Sequence, residues 1–292
     1  MKESTNERTD GRTDSGEGFA GRSVVTFESR RAKEMASLIE RHGGNALSAP
    51  ALRELVLDEN AEALAFAQAL RSGSFDALIL MSGVGTRALL DEIAPVLDRP
   101  AFVAAVASLR VIARGPKPST VLREIGLRDF LTVPAPNTWR EVLAALTAER
   151  ALSGLRVAVQ EHGAPSVELY AALREAGAIV SAVPVYKWAL PEDTAPLRAG
   201  LRALAERRAQ IALFTSRSQV EHAFAVAAEE GLDAALRERL AHGMIASIGP
   251  VCSEALRAEG LTPDLEPTVG RMGQLVKESA ARAAAILEGK LK

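Results

Sequence analysis

Basic and hydroxyl side chains recur where predicted strands end and helices begin. Four arginine or lysine residues stand in these loops: Arg30, Arg114, Lys117 and Arg217. Each alone is typical of a solvated surface, but four of them in such loops favour a polyanionic ligand. Ser216 and Ser218 flank Arg217 in the segment FTSRSQ, where they either cap a helix or contact a ligand. The first chemistry that the sequence indicates is therefore anion binding.

The segment SIGPVCSEALRAEGL (247–261) predicts one such anion site. An apolar run precedes Gly249 and Pro250, and the helix-like segment that follows stops at Gly260. Proline in a first turn and glycine just past a last turn are typical of helix ends. The backbone N–H groups of a helix N-terminus bind anions readily. Cys252 lies in this first turn, where it is either a stabilised thiolate or a small buried residue.

Other candidate motifs also have structural interpretations. The segment GVGTRA (83–88) satisfies the glycine pattern of dinucleotide binding, but no acidic residue follows about 20 positions later. A tight strand-to-helix turn is the favoured explanation. Tyr186, one of two tyrosines, lies in VPVYKW, where it either packs or takes part in chemistry. No metal site is predicted, because metal-ligand spacing is missing among the four histidines, His42, His162, His222 and His242.

The composition limits the class of protein that could carry these residues. The chain has 292 residues, enough for two domains, and is 48% hydrophobic but only 4% aromatic, so its cores must be aliphatic. The net charge of −2 argues against a nucleic-acid partner. The single cysteine excludes an intrachain disulfide and suits a reducing compartment.

The same sequence indicates a cytoplasmic protein with no membrane association. No apolar run approaches the roughly 18 residues that a membrane span needs. Residues 1–21 have no apolar segment of the secretory type and are polar and rich in Gly, Ser and Thr. We expect a disordered tail over 1–21, with the ordered protein beginning near Arg22.

An internal repeat organises the rest of the chain. The stretch that begins at Val24 has the shape of the stretch that begins at Val157, 133 positions later. Ser82 corresponds to Ser216 and Gly115 to Gly249, each 134 positions later. Three sets of landmarks at nearly one offset indicate two similar halves.

Each half alternates apolar strands with amphipathic helices. Runs such as ALIL and IALF are continuous apolar segments, as expected for strands buried on both faces. The alternation predicts doubly wound α/β domains with parallel sheets. Ligands bind such sheets beyond the carboxyl ends of the strands, so the loops FESRR, MSGVG, ARGPKP, QEHGAP, FTSRS and IGPVCS form predicted functional rims. We expect a cleft between two facing rims.

At the residue level the chain resembles the uroporphyrinogen-III synthase family. The segment FTSRSQV is similar to the family's Phe-Thr-Ser-x-Ser-x-Val, and IASIGPVCSEALRAEGL is similar to its Ile-Gly-Pro-Thr-Thr segment. The segment VPVYKW is similar to the family's Val-x-x-Tyr turn, and VVTFESRRAKEMASLIERHGG to its opening strand and helix. The resemblance covers about residues 22–286.

The resemblance implies two Rossmann- or flavodoxin-like domains joined by a two-stranded linker. One domain would comprise 22–51 and 187–292, and the other 52–186. The family closes the linear tetrapyrrole hydroxymethylbilane to uroporphyrinogen III and inverts the last pyrrole ring, with loss of water. It works in the cytosol without metal or cofactor, and we expect a monomer. The substrate carries eight carboxylates, which agrees with the scattered anion sites.

The resemblance also implies roles for particular residues. Tyr186 is expected to donate a proton toward the leaving hydroxyl. The expected substrate-binding residues are Arg30, Ser82, Gly83, Arg114, Lys117, His162, Ser216, Arg217, Ser218, Gly249, Pro250, Val251 and Cys252.

The sequence departs from the family pattern at several of these positions. Val251 and Cys252 replace the paired threonines, and Arg217 stands where proline is common. These departures leave open a relative that binds a tetrapyrrole or another polyanion as a regulatory sensor. A two-domain nucleotide- or sugar-binding protein is a third interpretation, by analogy of fold alone.

Overall fold

The computed structural model describes residues 18–57, 60–148 and 151–290. The chain divides into two compact units. Unit 1 consists of the described residues up to Ala51 together with those from Asp193 onward, and unit 2 consists of Leu52–Glu192. The predicted return to the first domain after residue 186 precedes this second division, so Tyr186 and the strand that it begins lie in unit 2.

The elements follow one another in an alternating order. Unit 1 opens with β1 (Ser23–Thr26), α1 (Ala32–Arg41) and β2 (Asn45–Ser48). Unit 2 contains β3 (Arg53–Val56), α2 (Ala61–Arg71), β4 (Ala77–Leu80), α3 (Gly83–Glu92), α4 (Arg99–Val106), β5 (Arg110–Ala113), α5 (Pro116–Glu124), β6 (Leu131–Thr132), α6 (Trp139–Thr147), β7 (Arg156–Gln160), α7 (Val167–Glu175), β8 (Ile179–Val183) and β9 (Tyr186–Ala189). Unit 1 resumes with α8 (Ala195–Ala205), β10 (Ile211–Phe214), α9 (Arg217–Glu229), α10 (Asp233–His242), β11 (Met244–Ser247), α11 (Pro250–Ala258) and α12 (Met272–Lys290).

The sheets confirm the predicted α/β fold with parallel strands. Unit 1 has the strand order β11-β10-β1-β2, and unit 2 has β6-β5-β4-β7-β8, with every neighbouring pair parallel. The repeat equates β1 with β7, β2 with β8, β10 with β4 and β11 with β5. Under this correspondence the order in unit 1 matches β5-β4-β7-β8 of unit 2, and β6 is an additional edge strand of unit 2.

Local sequence explains the ends of the equivalent helices. Ser82 caps α3 by accepting a hydrogen bond from the Gly85 N–H, and Ser216 caps α9 in the same way from Gln219. Glycines in left-handed backbone follow α5 and α11, with φ of 91° at Gly126 and 78° at Gly260. The central strands β4 and β10 are fully buried, so their apolar side chains form the cores that fix these helices.

A two-stranded antiparallel pair, β3 with β9, lies within unit 2. Chain crossings between the units occur just before β3 and shortly after β9. This pair corresponds to the two-stranded linker that the family resemblance implies. Because Tyr186 is the first residue of β9, the pair also fixes the backbone of the candidate catalytic residue.

The amino-terminal expectation requires a correction. Most of the predicted tail lies outside the described residues, but the description already begins at residue 18. Phe19 is fully buried in the core of unit 1, and its N–H donates to the His42 carbonyl at 2.9 Å. Burial of this aromatic ring stabilises the segment before Arg22, which the polar composition of its neighbours concealed. Among the described residues, no helix is both long and apolar enough to cross a membrane.

Candidate active site

Three residues that are distant in sequence meet at the rim of unit 2. The Tyr186 hydroxyl lies 2.6 Å from Nδ1 of His162 and 3.4 Å from Oγ of Ser82. Ser82 follows β4 and His162 follows β7, and these two strands are neighbours in the parallel sheet. The tyrosine is only 3% exposed, so its ring packs while its hydroxyl is held by polar groups. The packing interpretation of Tyr186 is confirmed for its ring, and a chemical role of its hydroxyl stays a prediction.

The loop that carries His162 is fastened by Trp188, a residue that sequence reasoning did not select. The Trp188 indole N–H donates to the His162 carbonyl at 3.0 Å, and its backbone N–H donates to the Gly163 carbonyl at 2.9 Å. The Tyr186 and Trp188 rings pack edge to face with centroids 5.3 Å apart. Strand alternation places Tyr186 and Trp188 on the same face, which is the signal that could have identified the tryptophan.

Gly163 is required by this arrangement. Its φ of +74° is in the left-handed region, and a Cβ there would lie 2.7 Å from Cε2 of Tyr186 and closer still to the Trp188 indole nitrogen. Any other residue would be strained and would displace the aromatic rings. The glycine thus lets the loop approach the two rings closely enough to place His162.

The glycines of GVGTRA serve close packing. A Cβ at Gly83 would lie 2.9 Å from the Lys117 carbonyl oxygen, and one at Gly85 would lie 2.7 Å from Cδ of Gln160. Both glycines therefore pack against other residues of unit 2. The tight strand-to-helix turn is therefore the better interpretation of this segment.

Arg114 stands directly after β5 as a half-buried guanidinium. Burial lowers its pKa, and among the described residues only the nearby Tyr186 hydroxyl opposes this shift. No carboxylate of the described chain forms an ion pair with it, so the desolvated charge lacks a protein counter-ion. Lys117, in the first turn of α5, is exposed. This corner of unit 2 can accept an anion with little rearrangement of charge.

The other tyrosine, Tyr170, forms a buried hydrogen bond with Glu161. The Tyr170 hydroxyl donates to Oε1 of Glu161 at 2.7 Å, and both side chains are buried. Burial raises the pKa of Glu161 above its usual range, and burial together with this hydrogen bond raises the pKa of Tyr170. Tyr170 therefore supports the structure of unit 2.

In unit 1 the polar groups of the first rim loops are paired with one another. Arg217 lies 3.6 Å from a Glu254 carboxylate oxygen, and Ser216 accepts from the Gln219 N–H at 3.3 Å. The Thr215 hydroxyl donates to Glu28 at 2.6 Å. Ser218 is half-buried in the first turn of α9, and Arg30 is exposed beyond β1. These contacts satisfy much of the charge that the sequence predicted for a ligand.

The N-terminus of α11 has a carboxylate of its own nearby. The Ser253 hydroxyl donates to Glu266 and contacts Ser247. Burial raises the pKa of the Cys252 thiol to about 11, with its side chain 2% exposed. A neutral buried thiol argues against the thiolate interpretation. Gly249, Pro250 and Val251 are half-buried and lead into this turn.

The structure thus brings together one subset of the predicted residues. Ser82, His162 and Tyr186 form a hydrogen-bonded cluster in unit 2, and the Tyr186 hydroxyl interacts electrostatically with Arg114. The unit 1 residues fall into a group at α9 and a group at α11, with Arg30 in the loop after β1. No cluster of three or more His, Cys, Asp or Glu side chains suited to a metal occurs within the described ranges.

Comparison with known proteins identifies the family of the chain. The family model described as Uroporphyrinogen-III synthase HemD matches residues 33–277. An uncharacterized protein of Bacillus subtilis (strain 168), YjjA, is 29% identical over 266 residues, which are 91% of this chain and 97% of that protein.

Solved structures give the same result. A mutant uroporphyrinogen III synthase from Thermus thermophilus superposes with a TM-score of 0.70 and 25% identity, covering 92% of this chain and all of that one. The wild-type enzyme gives 0.56 and 26%, covering 93% of this chain and all of that one. Since the family model spans most of the sequence and the fold is shared, the chain belongs to the uroporphyrinogen-III synthase family.

Proposed function

We propose that the protein closes hydroxymethylbilane to uroporphyrinogen III with inversion of the terminal ring, as a cytoplasmic monomer that needs no metal or cofactor. The observation that carries this proposal is the Tyr186 hydroxyl held against His162, close to the desolvated charge of Arg114. A proton donor next to an anion site is what a carboxylate-rich substrate with a leaving hydroxyl requires.

The substrate carboxylates are divided among several weak sites. Arg114 and Lys117 supply positive charge at the N-terminus of α5, where backbone N–H groups add about 0.3–1 kcal/mol for each carboxylate. In unit 1, Ser216, Ser218 and the backbone N–H groups of Val251 and Cys252 are proposed as further carboxylate sites. Arg30 and Arg217 are proposed as their charged partners.

Tyr186 assists the one bond cleavage that requires a proton. It donates toward the hydroxyl, which leaves as water with the electron pair of the C–O bond. The resulting azafulvene cation closes through a spiro intermediate, and the tyrosine regains a proton when the final ring loses its own. Since little other proton transfer is needed, holding the substrate in its folded geometry supplies most of the rate.

The test is a coupled assay in which hydroxymethylbilane is generated in the presence of the protein. After oxidation, the type I and type III products are separated and compared with the reaction without protein. A predominance of type III is expected. Type I alone, at the spontaneous rate, overturns the enzyme assignment.

One observation favours the sensor as a second candidate function. The family's threonines are replaced by Val251 and by the buried Cys252, so no side-chain hydroxyl stands at those positions of α11. A sensor would bind a carboxylate-rich tetrapyrrole yet yield only type I product. Direct binding of uroporphyrinogen, measured beside the product ratio, distinguishes it from the enzyme.

A further inference from the structure

We infer that His162 and Trp188 are positioning residues for the Tyr186 hydroxyl, and that His162 directs its proton away from the protein and toward the substrate. The inference rests on the proposed function, since Tyr186 is the group taken to touch the reacting hydroxyl. It assigns His162 a role through Tyr186, in place of the direct contact with substrate that the family resemblance implies.

Counting protons at the tyrosine oxygen supports this role. A phenol has one proton, and its oxygen can also accept hydrogen bonds. The inferred role places the His162 proton on Nδ1, so that the imidazole donates to the tyrosine oxygen 2.6 Å away. Ser82 Oγ already accepts from the Gly85 N–H at 3.0 Å, so the Ser82 proton is available to the same oxygen. In this arrangement neither His162 nor Ser82 takes the tyrosine proton, and both side chains orient the hydroxyl through its acceptor positions.

Trp188 fixes the histidine through the backbone. Its indole and backbone N–H groups bind two successive carbonyls of the loop, those of His162 and Gly163. The Trp188 and His162 rings also pack edge to face, with centroids 5.9 Å apart. Two hydrogen bonds and a packed ring leave the loop little freedom, so the imidazole keeps its direction toward Tyr186.

The same arrangement stabilises the tyrosine after it has given up its proton. A phenolate oxygen at this position would accept a short hydrogen bond from His162 and would be attracted by the positive charge of Arg114. Charge-assisted hydrogen bonds are stronger than neutral ones, so the pair assists the proton transfer itself and not only the ground state.

The experiment is a double-mutant cycle on type III formation. His162→Leu is expected to lower kcat about 10-fold with KM unchanged within about twofold. In a Tyr186→Phe background the same substitution should cost nothing further, because its effect passes through the missing hydroxyl. Equal losses in both backgrounds, or an effect confined to KM, would overturn the inference and make His162 a substrate contact.

Conservative variants keep the test informative if His162→Leu does not fold. His162→Asn places an amide near the position of Nδ1 and should recover part of the lost kcat, whereas no recovery counts against the positioning role. Trp188→Phe keeps a ring but removes the indole donor, with an expected loss of about threefold in kcat; an unchanged kcat contradicts its role. Trp139→Phe, at the other tryptophan of unit 2, is the matched control and should leave kcat unchanged.

The wild-type product ratio separates this inference from the proposed function. If the wild-type protein forms only type I, the proposed function fails before any variant is compared. If type III forms and the cycle is additive, the proposed function stands and the positioning role fails.

Discussion

The equivalent rims of units 1 and 2 differ in how they handle charge. In unit 1, Arg217 pairs with Glu254, and the Glu266 carboxylate accepts a hydrogen bond in the first turn of α11. In unit 2, Arg114 is desolvated with no carboxylate partner among the described residues. The first rim is largely neutralised by its own residues, whereas the second keeps charge available for an anion.

The loop after the first strand of the repeat differs in the same sense. Unit 2 has Gly163 where unit 1 has the exposed Arg30, and only the glycine permits close approach to Tyr186. In unit 1 the residue before this loop is Phe27, which stacks on Phe214 at 4.4 Å. Its counterpart in unit 2 is Gln160, whose amide fills the space above Gly85.

The two halves share features that build the fold and differ in the residues that could contact a ligand. The capping serines, the glycines after α5 and α11, and the order of the strands are common to both units. The loops at the carboxyl ends of the strands have diverged, as loops on a rigid scaffold do. The comparison therefore predicts that substitutions at matched positions affect stability alike but activity mainly in unit 2.

The largest effect is expected at Tyr186. Tyr186→Phe removes the proposed proton donor and should lower the rate of type III formation about 100-fold, with little change in the unfolding midpoint. Tyr170→Phe is the matched control. It leaves the buried Glu161 without the Tyr170 hydrogen bond and should lower stability, while turnover of the folded protein is kept. Turnover that is unchanged in Tyr186→Phe removes the proposed role.

A large loss of stability is expected at Gly163. Gly163→Ala combines left-handed backbone with a Cβ that meets the rings of Tyr186 and Trp188, so the free energy of unfolding should fall by about 3 kcal/mol. Gly126 has φ of 91° and open space around its Cβ, so Gly126→Ala should cost only about 1 kcal/mol. Equal losses in denaturant unfolding would show that crowding at Gly163 is unimportant.

Arg114 and Arg217 provide a comparison of the two rims. Arg114→Gln removes the proposed charge-assisted hydrogen bond to a substrate carboxylate and should raise KM about 10-fold. Since the guanidinium is desolvated and no carboxylate of the described residues pairs with it, the unfolding midpoint should stay the same or rise. Arg217→Gln breaks a partly exposed ion pair and should change KM only about twofold. The opposite ranking of the two KM values would place the main anion site in unit 1.

The sequence predicts the features of this protein that depend on neighbouring residues. Buried strands, capping serines and glycine stops each leave a local pattern, and their repetition at one offset predicts two similar α/β halves. The cluster of Ser82, His162 and Tyr186 was partly predictable, because all three residues stand in loops at strand ends or at the start of a strand.

Contacts between distant segments could not be predicted in the same way. The hydrogen bond from Trp188 to the His162 carbonyl depends on the pairing of β9 with β3 and on the space left by Gly163. Whether an arginine forms an ion pair depends on a carboxylate from another element, as Arg217 depends on Glu254. Burial of Phe19 likewise depends on the fold, since its neighbours in sequence are polar.

The smallest effect, and the finest separation of the two units, is expected at the helix caps. Ser82→Ala and Ser216→Ala remove equivalent capping oxygens, so each should lower the free energy of unfolding by about 1 kcal/mol. Only Ser82 also lies within 3.4 Å of the Tyr186 hydroxyl, so only its loss should lower kcat, by about threefold.

The two readouts together locate the chemistry. Equal unfolding losses with unequal kcat mean that the repeat keeps its scaffold in both units while the proton donor is supported in one. Equal kcat losses would instead mean that both caps affect activity through the stability of the folded state. The 3.4 Å contact between Ser82 and Tyr186 would then make no contribution of its own to kcat.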